Sequence, residues 1–206
     1  MESYITNPHE IEERSFEIIT EELGDKTFPE DIGKVIKRII HTTADFGFAD
    51  ITIINDGAIE RAKEAIKAGK NIYTDTRMAL SGINKRRLAQ FGGEVLNYVS
   101  HEEVALKAKK EGITRSMVAM RKAVKENPDG IFVIGNAPTA LFELMEQIKE
   151  GNASPSLIVG VPVGFVGAAE SKEELLKLDI PYILTRGRKG GSNVAAAIVN
   201  AILYMI

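Results

Sequence analysis

No cysteine occurs in this 206-residue chain. Disulfides, thiolate catalysis, thiolate metal sites and iron–sulfur clusters are therefore excluded. Histidine is nearly as scarce: three residues, with no His-x-x-x-His or Glu-x-x-His pair, argue against a transition metal held by the protein. Tryptophan is absent and aromatics reach only 6%, so the core must be aliphatic. Positive charge is not in excess. Twenty-six Lys and Arg against 29 Asp and Glu leave −3, the wrong sign for a general nucleic-acid binder, although local basic clusters can still hold a small anion. No apolar run is long enough to span a membrane, and the opening stretch MESYITNPHEIEERS lacks the apolar segment of a secretion signal. These absences point to the cytoplasm. The remainder, 44% hydrophobic and 27% charged, suits a globular protein with a real core, and no repeat or linker divides residues 1–206, so one domain is expected.

The first predicted helix starts at Asn7-Pro8-His9-Glu10, with Asn7 as cap and Pro8 at the first helical position. It turns Ile11, Ile18, Ile19 and Leu23 inward and stops at Gly24, with Ser15 in its middle. A second helix opens near Pro29. Ile32, Val35, Ile36, Ile39 and Ile40 follow the spacing of one buried face. Ile51 to Ile54 reads as a strand, and from there short aliphatic strands alternate with helices to the end of the chain. Asp75 to Met78 reads as a loop, Ser100-His101-Glu102-Glu103 and Ser171-Lys172-Glu173-Glu174 as capping boxes that open helices. The later strands are apolar throughout, so both sheet faces are covered. The expected fold is α/β: a doubly wound, mainly parallel sheet in three layers, flavodoxin-like or Rossmann-like. Ligands of such sheets sit beyond the carboxyl ends of the strands. The loops at Asp75, Asn136, Gly164 and Arg186 all follow strands and should share that edge.

Three of these loops expose backbone through small residues: Gly135-Asn136-Ala137-Pro138, Pro162 to Glu170, and Arg186 to Asn193. The last, RGRKGGSN, has the strand–glycines–helix setting of an anion site, with Gly190 and Gly191 at its centre. It matches neither the dinucleotide fingerprint nor the P-loop, since no Lys-Ser/Thr pair follows the glycines. A phosphate, a carboxylate ligand and a plain tight turn all stay open. Arg38, Arg77, Thr114-Arg115-Ser116, Arg186 and Lys189 are dispersed basic or polar positions that together suit a ligand with several carboxylates, because Arg pairs such groups bidentately.

His41 ends the second helix, in KRIIHTTADFGFAD. It lies three residues after Arg38, so an imidazole and a guanidinium share a helix face. A histidine here can simply satisfy the last carbonyls, or it can move a proton. Thr42 follows it, and Asp45, four residues on, is a candidate to orient it.

The stretches RIIHTTADF, TDTRMALSGI, TRSMVAM, IGNAPTAL, PVGFVGAAESKEEL and RGRKGGSNVAAAIVNAI, in this order, resemble the precorrin-8X methylmutase family, including its anaerobic branch, the cobalt-precorrin-8 methylmutases. The resemblance covers nearly the whole chain and departs at Ala44, where glycine is the family expectation. It implies a methyl migration between adjacent ring-C carbons of a corrin precursor, giving a (cobalt-)hydrogenobyrinate-type acid in vitamin B12 synthesis. It implies that His41 is the proton donor and that Ser15, Arg38, Thr42, Arg77, Thr114, Arg115, Asn136, Gly164, Arg186, Gly190 and Gly191 contact substrate. It further implies a homodimer and no methyl donor or resident cofactor, any cobalt belonging to the substrate. A corrinoid carrier without turnover and a nucleotide-dependent α/β enzyme using the Gly190 loop are the rival readings.

Overall fold

The computed structural model describes residues 5–206. The chain runs α1 (Pro8–Leu23), α2 (Glu30–Thr43), α3 (Phe48–Ile51), β1 (Thr52–Ile54), α4 (Ala58–Lys67), β2 (Ile72–Thr74), α5 (Arg77–Gly82), α6 (Lys85–Ala89), β3 (Val95–Leu96), α7 (Glu102–Glu111), α8 (Arg115–Glu126), β4 (Ile131–Ile134), α9 (Pro138–Lys149), β5 (Leu157–Gly160), α10 (Ala168–Leu175), β6 (Tyr182–Thr185) and α11 (Ser192–Tyr204). The six strands form one sheet in the order β1-β6-β5-β4-β2-β3. Five are parallel; β1 lies antiparallel to β6 at one edge. Counted from β2, the parallel strands stand in the order 2-1-3-4-5, so the winding reverses between β2 and β4. Such a reversal opens a crevice at the carboxyl ends of the two strands.

Alternate strand residues feed two cores. Ile131, Val133, Leu157, Val159 and Ile183 pack against α2, α4 and α11. Phe132, Ile134, Ile158 and Leu184 pack against α8, α9 and α10. That is why these strands read as unbroken apolar runs. Burial of one such side chain stabilises the fold by roughly 1.5–3 kcal/mol, so the six-stranded centre is the rigid support for the loops above it.

Several elements differ from the sequence reading. Asn7 caps α1 by accepting from His9 N–H, but only Ile19 and Leu23 of its expected inward set are buried. Ile11 and Ile18 are exposed because α1 packs on α2 along a single stripe through Ile36 and Ile40. Asp75 to Met78, read as a loop, runs into the short helix α5, and α6 follows it; each is capped by a side chain: Thr76 accepts from Ala79 N–H and Asn84 from Arg87 N–H. His101, not Ser100, caps α7, without a side-chain bond. The box at Ser171 does not open its helix: α10 begins at Ala168 behind Gly167, whose φ of 79° makes the turn.

Ala44 is the one non-glycine residue with positive φ among the described residues, at φ 53° and ψ 26°, where it ends α2. A Cβ in this left-handed region costs on the order of 1 kcal/mol. Ala44 is exposed and makes no core contact to lose. Ala44→Gly is expected to stabilise the protein by about 0.5–1 kcal/mol, net of the greater freedom of glycine in the unfolded chain. A thermal melt should show a rise of about 1–4 °C.

Candidate active site

The crevice between β2 and β4 is filled by the protein itself. Asp75 follows β2 and is 2% exposed. Its Oδ1 accepts from Gly135 N–H at 2.9 Å, and its Oδ2 accepts from Asn136 and Ala137 N–H at 2.8 and 2.7 Å. These donors lead into α9, whose cap residue Ala137 makes no side-chain bond of its own. The carboxylate thus stands where a phosphate would sit at a helix N-terminus. Burial pushes its pKa up, while the three N–H donors pull it back down. Its effect is to hold the turn that presents the exposed Asn136.

Other helix starts are joined to the same edge. Thr76 Oγ1 lies 2.7 Å from Ser192 Oγ, linking the start of α5, and so Arg77, to the start of α11. Thr114 Oγ1 caps α8 and lies 3.1 Å from Thr139 Oγ1 in the first turn of α9, which sets Arg115 beside the Asn136 loop. Gly164 N–H donates to the Arg188 carbonyl at 3.2 Å, joining the loop after β5 to the loop after β6. Arg186 N–H donates to the Ile51 carbonyl. Lys189 carries the edge across to α2: its Nζ lies 2.6 Å from Asp45 Oδ2. Asp45 also accepts from Gly47 N–H, and Lys189 together with that N–H holds its carboxyl below the usual range. Asp45 therefore serves the loop rather than orienting His41.

His41 lies in the last turn of α2, exposed, its ring stacked on Phe16 at 5.1 Å between centroids. No described residue hydrogen-bonds its ring nitrogens, which leaves them open to a ligand. Arg38 packs on the same Phe16 ring at 4.7 Å and on Tyr204 at 5.1 Å, but its charge is already met by Glu12 at 2.6 Å. The groove of about 1010 Å³ next to it is lined by Glu12, Glu13, Glu17 and Glu21, the wrong sign for an acidic ligand. Ser15 and Thr42 hydroxyls donate to carbonyls of their own helices, Ile11 and Arg38 respectively. The strand-end edge has the opposite character. Arg77, Arg115, Arg186 and Arg188 are exposed there among the apolar side chains of Met78, Val163, Phe165 and Val166. Apolar surface framed by guanidinium groups suits a large, flat ligand bearing carboxylates. Among the described residues no group of three His, Asp or Glu side chains is placed to hold a metal ion.

The precorrin-8X methylmutase family profile matches residues 10–205. This chain belongs to that family. The cobalt-precorrin-8 methylmutase of Salmonella typhimurium is 52% identical, over 98% of this chain and 97% of its own length. That of Priestia megaterium is 49% identical over 95% and 87%. The crystal structure of the precorrin-8X methylmutase from Thermus thermophilus superposes with a TM-score of 0.87 at 40% identity, covering 95% of this chain and 96% of that one.

In this methylmutase the glycine loop before α11 has a packing task. A Cβ on Gly190 would lie 2.1 Å from the Val161 carbonyl oxygen, and Gly191 N–H donates to that same oxygen. A Cβ on Gly135 would meet Ser192 Cα at 2.7 Å. The glycines bring the start of α11 against the ends of β4 and β5. Asp75 in turn fills the crevice between β2 and β4 and takes the N–H groups of Gly135, Asn136 and Ala137.

One residue beneath the edge is absent from the sequence reading of the site. Lys172 is fully buried and its Nζ donates to the Lys189 carbonyl at 2.9 Å, which also accepts from Thr185 Oγ1. Burial pushes its pKa down to about 8. Between about pH 8 and the unfolded lysine value near 10.4, the unfolded chain then binds more protons than the fold, so stability gains with rising pH in that window. Lys172→Met removes the buried charge. Its stability relative to wild type should be greatest at pH 7, by about 1–2 kcal/mol after the lost hydrogen bond, and should shrink toward pH 10. Urea unfolding at pH 7, 8.5 and 10 measures this, and a difference independent of pH would contradict it.

Proposed function

We propose that this chain is a cytoplasmic, single-domain cobalt-precorrin-8 methylmutase, an isomerase that moves a methyl group between adjacent ring-C carbons to give the hydrogenobyrinate-type acid of cobalamin synthesis. Family membership over residues 10–205 carries the reading. The cobalt form of the substrate is favoured by the names of the relatives at 46–52% identity. His41 donates a proton to the macrocycle. The added charge draws electron density toward the ring system, the methyl migrates with its bonding pair, and the proton is released afterwards, so the substrate is isomerised without net redox change. The methyl is already on the substrate, so neither a methyl donor nor a resident cofactor is called for, and cobalt travels with the ring. Arg77, Arg115 and Arg186 take substrate carboxylates, with Thr42, Thr114, Asn136 and Gly164 lining the ring's seat. General acid catalysis contributes typically 10²–10⁴-fold, and holding the ring in a reactive geometry supplies more.

The parallel strand order 2-1-3-4-5 with helices over both faces supports a three-layer, flavodoxin-like architecture. The exposed Ile11 and Ile18 of α1 support a homodimer that covers them, and light scattering tests it. No helix among the described residues is long and apolar enough to cross a membrane. The deciding experiment mixes purified protein with cobalt-precorrin-8 and follows the macrocycle's absorbance and mass. The expected result is a changed spectrum at unchanged mass, with no added cofactor. Binding of the product without any conversion of substrate would make the protein a carrier instead.

A further inference from the structure

Phe165 and Val166 are 82% and 90% exposed, at the tip of the loop between β5 and α10. The tip is shaped by its flanks: Gly164 has φ 148° and Gly167 φ 79°, conformations that favour glycine. It is anchored as well. Gly164 N–H donates to the Arg188 carbonyl, and the neighbouring Lys189 carbonyl is held by Lys172 and Thr185. Two bulky apolar side chains are thus held out into water on a fixed support. The Arg188 guanidinium lies over the Phe165 ring, 5.4 Å from its centroid. Arg14, Arg38 and Arg121 have carboxylate partners, whereas Arg188, like Arg77, Arg115 and Arg186 on the same edge, has none among the described residues.

We propose that Phe165 and Arg188 form a paired substrate contact, the Phe165 ring lying on the flat face of the macrocycle and Arg188 taking one of its carboxylates. This rests on the methylmutase reading. The pair offers the two things such a ligand presents, a broad apolar face and an anionic rim, and the cation–π contact pre-orients the guanidinium beside the ring. Charge decides between occupants. A second copy docking tip to tip about a two-fold axis would bring Arg186 and Arg188 against their own counterparts, whereas a polycarboxylate ring neutralises them.

The test compares wild type with Phe165→Ala, Phe165→Trp, Arg188→Ala and the Phe165→Ala/Arg188→Ala double variant. Each is titrated with the corrinoid acid product by absorbance, assayed for KM and kcat, and weighed by light scattering. Phe165→Ala and Arg188→Ala should each raise Kd and KM about tenfold, with kcat within about threefold, since the contact is made equally in ground and transition states. The double variant should lose less than the product of the two single losses, because the side chains touch. Phe165→Trp should keep the affinity within about threefold, as it keeps an aromatic face, and added salt should weaken wild type more than Arg188→Ala. Unchanged Kd in both single variants would overturn the proposal. So would a change of molecular mass in Phe165→Ala, which would assign the tip to a subunit contact. A wild type that binds product but never converts substrate would overturn the methylmutase reading, and the titration would then decide this contact by itself.

Discussion

His41→Ala is expected to lower kcat by about 10²–10⁴-fold while leaving product affinity within about threefold of wild type. The split follows from where the residue stands. Its ring is exposed, and its contact in the fold is the stack on Phe16, so truncation removes little that holds the protein together. The cationic edge proposed to bind the ring, with Arg77, Arg115 and Arg186, is built from other loops and is left intact. In the proposed role, what disappears is a proton donor needed only as charge develops, and such a loss falls on kcat rather than on KM. Asp45 does not stand in for it, because it is held by Lys189 and Gly47. Stopped-flow absorbance with one equivalent of substrate reads the chemical step, and a product titration reads binding. Turnover unchanged in this variant would remove His41 from the chemistry. Loss of binding in proportion to turnover would make it a contact residue only.

How much of the fold and the site is legible in the sequence depends on how local the cause is. The sheet can be read because each of β4, β5 and β6 carries an unbroken apolar run, and the parallel order then places Asn136, Gly164 and Arg186 on one edge. His41 is legible as a helix-end residue from the isoleucine spacing of α2. Helical spacing says which residues share a face but not whether anything covers that face, so Ile11 and Ile18 are expected inside and lie outside. Arg38 looks free in the sequence because its partner Glu12 is 26 residues away. Lys172 is hidden by its own neighbours: Ser171 and Glu174 mimic a capping box, while the real start of α10 is set by Gly167. Gly190 reads as an anion loop because glycines before a helix look the same whether they make room for a phosphate or for the Val161 carbonyl. Asp75 reads as loop, and its three partners lie 60 to 62 positions downstream, beyond any local pattern.

Asp75 is also where the largest loss of stability is expected. Its two oxygens accept three backbone N–H bonds in a buried crevice, and it has no donor to offer in return when ionised. In Asp75→Asn one oxygen becomes an NH₂ group. The side chain can keep Asn136 and Ala137 on its remaining oxygen, but Gly135 N–H then faces another donor. Losing charge-assisted bonds and leaving a buried donor unpaired costs about 3 kcal/mol, which for a domain of this size lowers the melting temperature by about 6–12 °C. The turn carrying Asn136 loosens as well, so KM should rise in the fraction that stays folded. Asp75→Ala separates charge from shape. It leaves the three N–H groups around a small empty crevice at the start of α9, where an inorganic anion can replace the carboxylate. Sulfate at tens of millimolar should therefore raise the melting temperature of Asp75→Ala by several degrees more than that of wild type, whose crevice is already filled. Equal shifts in the two proteins, or an Asp75→Asn melt within about 1 °C of wild type, would show that the carboxylate is not what holds the end of β2 to the start of α9.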